Sequence, residues 1–245
     1  EPDFVVSVDI AGRSLFTPRG ERYLARGIDL GIDHHPSYEG FARESCVDPG
    51  RAACGELIYD LIRQWGPVSP AAALPLYVAV ATDTGCFMYS NTTPATHRVC
   101  ADLMAVGIDF QGVNKRHFRT KSFRRLRIES MMVEGMERYD GGKTAVAAVT
   151  LAMMAALGAH EEDVEDIAAF VGQTEGVETS VTIRELAEGE CKLSVRTSGG
   201  LNATRVCALL GGGGHAAAAG CTVKGSVADA REAILNAIRT VQRDG

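Results

Sequence analysis

Ile28-Asp29-Leu30-Gly31-Ile32-Asp33-His34-His35-Pro36 decides how the rest of the chain is read. A mostly apolar run, Ile28 to Ile32, delivers an acid and two adjacent imidazoles, side chains that suit Mn²⁺, Fe²⁺, Co²⁺ or Zn²⁺. Taken alone, the triplet also fits a loop in which one histidine caps a helix and the other faces solvent. The reading therefore turns on where further carboxylates lie.

Upstream, Phe4-Val5-Val6-Ser7-Val8 reads as a buried strand with Asp9 at its carboxyl end. Between the two strands, 13–26 reads as loop with a short helix, and the stretch up to Pro49 reads as loop. Arg51–Trp65 has apolar residues at helical spacing and forms a covering helix. Ala71–Ala81 is an apolar element, helix or strand left open by Pro75, that delivers Asp83. Phe87–Pro94 is loop, and Ala95–Val106 is helical with Gly107 as its cap. Strands alternating with helices give an α/β fold with an open, mostly parallel sheet. Ligands of such sheets sit outside the carboxyl ends of the strands, so Asp9, Asp33, His34, His35 and Asp83 are expected on one rim.

Beyond this half, the basic run Lys115–Arg127 leads into a Met-rich helical segment, Leu126–Arg138, and Asp140-Gly141-Gly142 breaks it. We expect a metal-binding domain over 1–120, a connector helix over 121–142 that offers a face for a homodimer, and a smaller mixed α/β domain over 143–245. In that domain 144–149 reads as a strand, 151–157 as a further element and 163–171 as a helix. Two antiparallel strands, 176–185 and 191–196, turn around Glu188-Gly189-Glu190, and a helix follows over 202–210. A strand at 221–223 and a helix over 227–243 close the chain. Between them Gly211-Gly212-Gly213-Gly214-His215 reads as a loop whose amides can approach an anion unobstructed. Arg196, ending its strand, has the fork to grip a phosphate. The bland alternatives are a flexible linker and a solvated surface arginine.

Composition bounds the partners. At 245 residues with 46% apolar and 23% charged content, the chain can bury a substantial core. A net charge of −6 disfavours a protein that coats long nucleic acid, and favours a small anionic ligand held at a local basic site. No apolar run is long enough to span a bilayer. Seven cysteines without a CxxC pair, and no leader in the given sequence, point to a reducing cytoplasm without membrane partners.

Several separated motifs then carry a resemblance. Val8-Asp9, Ile32-Asp33-His34-His35-Pro36-Ser37, Thr82-Asp83-Thr84-Gly85 with Tyr89-Ser90-Asn91-Thr92-Thr93-Pro94, Lys192-Leu193-Ser194-Val195-Arg196 and Gly211–His215 with Ala218-Ala219-Gly220 occur in the order of the DHH phosphoesterase family. Within it, the chain resembles the bacterial oligoribonuclease and phosphoadenosine-phosphate phosphatase branch. The resemblance implies a hydrolase in which Asp9 and Asp83 bridge two Mn²⁺ ions and His34 completes one ion's shell. It makes His35 the catalytic group beside the leaving oxygen, with Asp33 supporting the imidazoles. Arg196, Gly212, Gly213, Gly214 and His215 would hold the far phosphate or ribose. The implied substrates are short RNA, linear dinucleotides or a 3′,5′-bisphosphorylated nucleoside, attacked in the manner of a 3′–5′ oligoribonuclease.

One part of the family pattern has no counterpart. A His-x-Asp-x-Asp motif that precedes the Asp9 strand does not occur in the sequence. Because every other motif residue is intact, we expect that segment upstream of Glu1. The rival reading is a nucleotide-binding module that does not assemble both metals. A pyrophosphatase of related fold is disfavoured by the Gly211–His215 stretch.

Overall fold

The computed structural model describes residues 2–243, and the chain divides into two compact units, Glu1–Thr120 and Lys121–Gly245.

The first unit is built on a parallel sheet of β1 (Val6–Val8), β2 (Ile28–Asp33) and β3 (Ala42–Val47), with β2 in the centre. β2 is buried on both faces, as its nearly continuous apolar run requires. β1 departs from expectation: it is short and lies at the sheet edge, with Val6 and Val8 about half exposed and only Ser7 buried. β3 also departs, for its Ala-Arg-Glu-Ser-Cys-Val sequence has no apolar run, yet it pairs along β2 from Ala42 to Val47.

The short helix expected within 13–26 is α1 (Pro18–Arg26), which takes up most of that stretch. α2 (Cys54–Trp65) covers β2 through Ile32, Cys54 and Leu57. The ambiguous apolar element is a helix, α3 (Pro70–Asp83). Ser69 caps it by accepting the Ala72 N–H, and Pro70 occupies its first position, where no amide is needed. These start signals outweigh Pro75. α4 (Pro94–Ala105) begins with a Thr93/Thr96 capping box. Tyr59, Leu76, Tyr77, Val80, Val99 and Leu103 pack α2, α3 and α4 together. A short helix, α5 (Phe110–Asn114), runs into a π-turn over Lys115–Arg119.

The second unit starts with α6 (Phe123–Glu134), ending at Gly135 and thus shorter and earlier than the 126–138 read from sequence. Residues 137–139 instead form β4 (Glu137–Tyr139). α6 buries Ile128 and Met132 with Ala145 and Ala147 of β5 (Thr144–Val149), so the stretch 121–142 is packed into this unit. Lys121 and Arg125 of the basic run close on the buried Glu129, each at 2.8 Å. After α7 (Leu151–Leu157), the expected helix over 163–171 is replaced by short 3₁₀ turns at 161–164, 167–169 and 171–173. Asp166, at φ 57°, interrupts any continuous helix there.

β6 (Thr179–Ala187), β7 (Glu190–Thr197), α8 (Ala203–Ala208), β8 (Gly213–His215), β9 (Ala218–Lys224) and α9 (Val227–Arg243) complete the unit. Its sheet runs β4-β5-β6-β7-β9-β8, with only β5 and β6 parallel. Cys191, Leu193 and Val195 of β7 enter a core with Val206 of α8 and Ile234 and Ile238 of α9. The glycine stretch is therefore not all loop: residues 213–215 form an edge strand.

Candidate functional site

In the first unit, three elements bring the predicted side chains together. Asp9 follows β1, where its N–H extends the pairing by donating to Ile32 O at 3.0 Å. Its φ of 61° is left-handed, a conformation that costs a non-glycine residue about 1–2 kcal/mol. Asp33 ends β2 fully buried, and His34 and His35 follow it. Asp83 arrives from the last residue of α3, not from a strand as the convergence on strand ends had implied.

His34 Nδ1 lies 3.1 Å from Arg51 O. A carbonyl only accepts, so Nδ1 carries the proton and Nε2 presents a lone pair. That lone pair faces Asp9 Oδ1 and Asp83 Oδ2, each at 3.5 Å. Lone pairs gathered this closely repel unless a cation or an added proton sits among them. Among the described residues, Asp9, His34 and His35 offer ligand atoms all within 4.8 Å of one another. Burial and the neighbouring Asp9 push the Asp83 carboxyl above its ordinary value, with His34 and His35 opposing the shift. The neighbouring carboxylate charge that disfavours a bare Asp83 anion would be offset by a cation bound between them.

Asp33 supports the second imidazole. Its Oδ1 accepts from the His35 amide at 2.8 Å and meets His35 Nδ1 at 2.6 Å, which turns His35 Nε2 outward as the free ring nitrogen. Asp33 Oδ2 is buried with no hydrogen-bond partner, an atom left open to a cation or its bound water. The donor set of imidazole and carboxylates, with this orphaned oxygen, fits a hard-to-borderline divalent ion.

Sequence reasoning missed the supports. Arg51 orients His34 through its carbonyl while its guanidinium is held by Asp60 at 2.5 Å and Asp48 at 3.3 Å. Asn91 Nδ2 donates to Ala52 O at 3.0 Å and Asp83 O at 3.1 Å, tying the start of α2 to the end of α3. Gly85, Cys86 and Phe87 all have left-handed φ, turning the chain back sharply after Asp83. The Cys54 thiol donates to Ile32 O at 3.3 Å, and burial with the nearby Asp9 pushes its pKa up to about 12, so it stays protonated. Gly85 and Asn91 gave a signal, since they sit inside the quoted 82–85 and 89–94 motifs.

In the second unit, Arg196, Ala218 and His215 lie side by side across β7, β9 and β8. The sequence reading paired Arg196 with His215, and the register brings them to one face. The glycines serve the sheet as well as any ligand. A Cβ on Gly212 would run into Gly220 O and Cys221 Cβ, so only glycine lets the chain enter β8 this close to β9. Thr204 Oγ1 donates to Gly214 O at 2.9 Å and the Ala203 amide to Ala216 O at 2.7 Å, fixing the hairpin tip against α8.

The second unit matches a known domain family: residues 141–244 are a DHHA1 domain. Together with the Asp33-His34-His35 site this defines a DHH-family protein carrying its associated domain. The relatives sharpen the class. The chain is 37% identical over 216 residues to the bifunctional oligoribonuclease and PAP phosphatase NrnA of Thermus thermophilus, covering 87% of this chain and 64% of that protein. It is 26% identical over 223 residues to the probable NrnA of Streptococcus mutans, covering 90% and 70%. An exopolyphosphatase-related protein from Bacteroides fragilis shares the fold with a TM-score of 0.87 at 25% identity, over 98% of this chain and 72% of that one. The chain belongs to the DHH family and is NrnA-like. It spans less than two thirds of the length of the Thermus relative. Among the described residues no helix is long and apolar enough to cross a membrane.

Proposed function

We propose that this protein is a metal-dependent phosphoesterase acting on short oligoribonucleotides, linear dinucleotides or a 3′,5′-bisphosphorylated nucleoside. The single observation that carries this is the meeting of the His34 Nε2 lone pair with Asp9 and Asp83 at 3.5 Å. The names of the Thermus and Streptococcus relatives, which describe oligoribonuclease and PAP phosphatase activity, support the substrate class.

Asp9, His34 and Asp83 would hold Mn²⁺, a bridging carboxylate pair being suited to two ions. Bound there, the metal would lower the pKa of a water and neutralise charge on the phosphoryl oxygens. Asp33 keeps His35 Nδ1 occupied, so Nε2 is the ring nitrogen left to meet the departing oxygen, to which the doubly protonated ring would give its Nε2 proton and return to the neutral imidazole. Arg196 and His215 would take the phosphate or ribose that does not react, which favours short substrates whose far end can be gripped.

The test uses full-length protein with Mn²⁺ and a dinucleotide or bisphosphate. Release of mononucleotide, abolished by Asp83→Ala and reduced about 10–100-fold by Asp33→Asn, is expected. No release, with Asp83→Ala indistinguishable from the parent, overturns the reading. Binding of about one or no manganese per chain with nucleotide affinity retained would favour the binding-module alternative.

A further inference from the structure

Two cysteines of the second unit lie beneath the start of β8. Cys207 is in the last turn of α8 and Cys221 is in β9, and both belong to the core shared with β7 and α9. Both are free thiols, Cys207 fully buried and Cys221 nearly so. Gly212 touches each of them. Its N–H donates to Cys207 O at 2.9 Å, and it lies so close to Cys221 that an added Cβ would run into Cys221 Cα and Cβ.

The side chains meet as well. The Cys207 thiol donates to the Cys221 sulfur, which holds Cys221 below its ordinary value against the opposing effect of burial and pushes Cys207 up. The thiolate is the form of cysteine that attacks an oxidant, so Cys221 is the nucleophile of the pair and Cys207 the resolving thiol beside it. Cys191, the other cysteine of this core, faces Val223 across β7 and β9, while Leu193 faces Cys221. That diagonal holds Cys191 about 7–8 Å from Cys221, longer than a disulfide spans. Cys46, Cys54, Cys86 and Cys100 belong to the first unit.

Access to the pair is through glycine. Gly211, Gly213 and Gly214 are exposed, β8 is a three-residue edge strand, and what covers Cys221 at Gly212 is main chain without a side chain. A short strand paired along one side opens locally at small cost, and each opening bares Cys221 to a molecule as small as hydrogen peroxide.

We propose that Cys207 and Cys221 are an oxidation site that closes to an intramolecular disulfide with hydrogen peroxide, and that the bond weakens nucleotide binding by the glycine stretch above it. The Cys221 thiolate attacks one peroxide oxygen and the O–O bond breaks. The departing hydroxide takes up the proton that Cys221 had released and leaves as water, and Cys221 becomes a sulfenic acid. The Cys207 sulfur then attacks the Cys221 sulfur, forming the S–S bond and breaking the S–O bond. The second hydroxide takes the Cys207 proton and also leaves as water, so the two thiols give up two electrons and the peroxide accepts them. Closing the sulfurs to a bond of about 2.05 Å draws the end of α8 towards β9 directly under Gly212, and the strand that carries His215 shifts with it. The effect on nucleotide rests on the role proposed above for this stretch.

The experiment treats reduced full-length protein in EDTA with hydrogen peroxide and reads free thiols, linked peptides by mass spectrometry, and binding of a labelled dinucleotide. The parent is expected to lose two thiols, to yield a peptide linked through Cys207 and Cys221, and to bind the dinucleotide about tenfold more weakly, all reversed by dithiothreitol. Cys207→Ala and Cys221→Ala should each yield no such peptide and keep their affinity within about twofold through the treatment; should one of them not fold, the other decides. No linked peptide from the parent overturns the proposal, and so does a linked peptide with affinity unchanged. Reduced parent that does not bind the dinucleotide defeats the nucleotide reading of the glycine stretch instead, and the linked peptide still decides the oxidation site.

Discussion

His34 is oriented by a backbone carbonyl and Asp83 by an asparagine amide, and these supports decide how precisely the acidic atoms meet. Asn91→Ala removes the tie between the starts and ends of two helices, and manganese affinity measured by calorimetry should fall about 10–100-fold with little loss of fold. His34→Ala should remove more, because it deletes a ligand atom. Asp9, Asp33, His34, His35 and Asp83 were legible because their chemistry is carried by side chains that appear in the sequence. Arg51 was not, since a carbonyl oxygen belongs to every residue and only folding selects which one faces an imidazole. The φ of Asp9 was equally hidden, as no neighbouring residue type announces it.

At the scale of elements, β8 shows why glycine was half understood. The run was read as a cradle of free amides, whereas Gly213 and Gly214 pair with Gly220 and Ala219 in the sheet. Gly212→Ala should destabilise the second unit by about 1–3 kcal/mol through overpacking against β9, read as a lower urea midpoint, and should weaken nucleotide binding by displacing His215. α2, α4, β5 to β7, α8 and α9 were legible from apolar periodicity and turn residues. β3 was not, because its pairing comes from backbone alone. α3 was readable only as apolar, Pro75 masking a helix whose cap lies at Ser69. The segment 161–173 failed for the opposite reason: its composition suits a helix, and Asp166 prevents one.

At the scale of the molecule, the two units carry separate cores and share a sensitivity to acid. Hydrogen bonds from Arg26 and the Val5 amide hold Asp29 below its ordinary value, and those from Ser122 and Ser226 do the same for Asp163 and Asp229. A depressed carboxyl contributes stability that is present above its unfolded pKa and is lost as pH falls through the folded one. The melting temperature should therefore hold across neutral pH and fall below the ordinary carboxylate range. Asp229→Asn should flatten part of that fall. Global stability also reports on Asp9. Glycine there accepts the left-handed backbone freely, so Asp9→Gly should exceed Asp9→Ala in stability by about 1 kcal/mol, read from denaturant midpoints. A laboratory selection that rewards heat resistance alone would then accumulate glycine at position 9 and return folded protein without turnover, unless each round is also scored for catalysis.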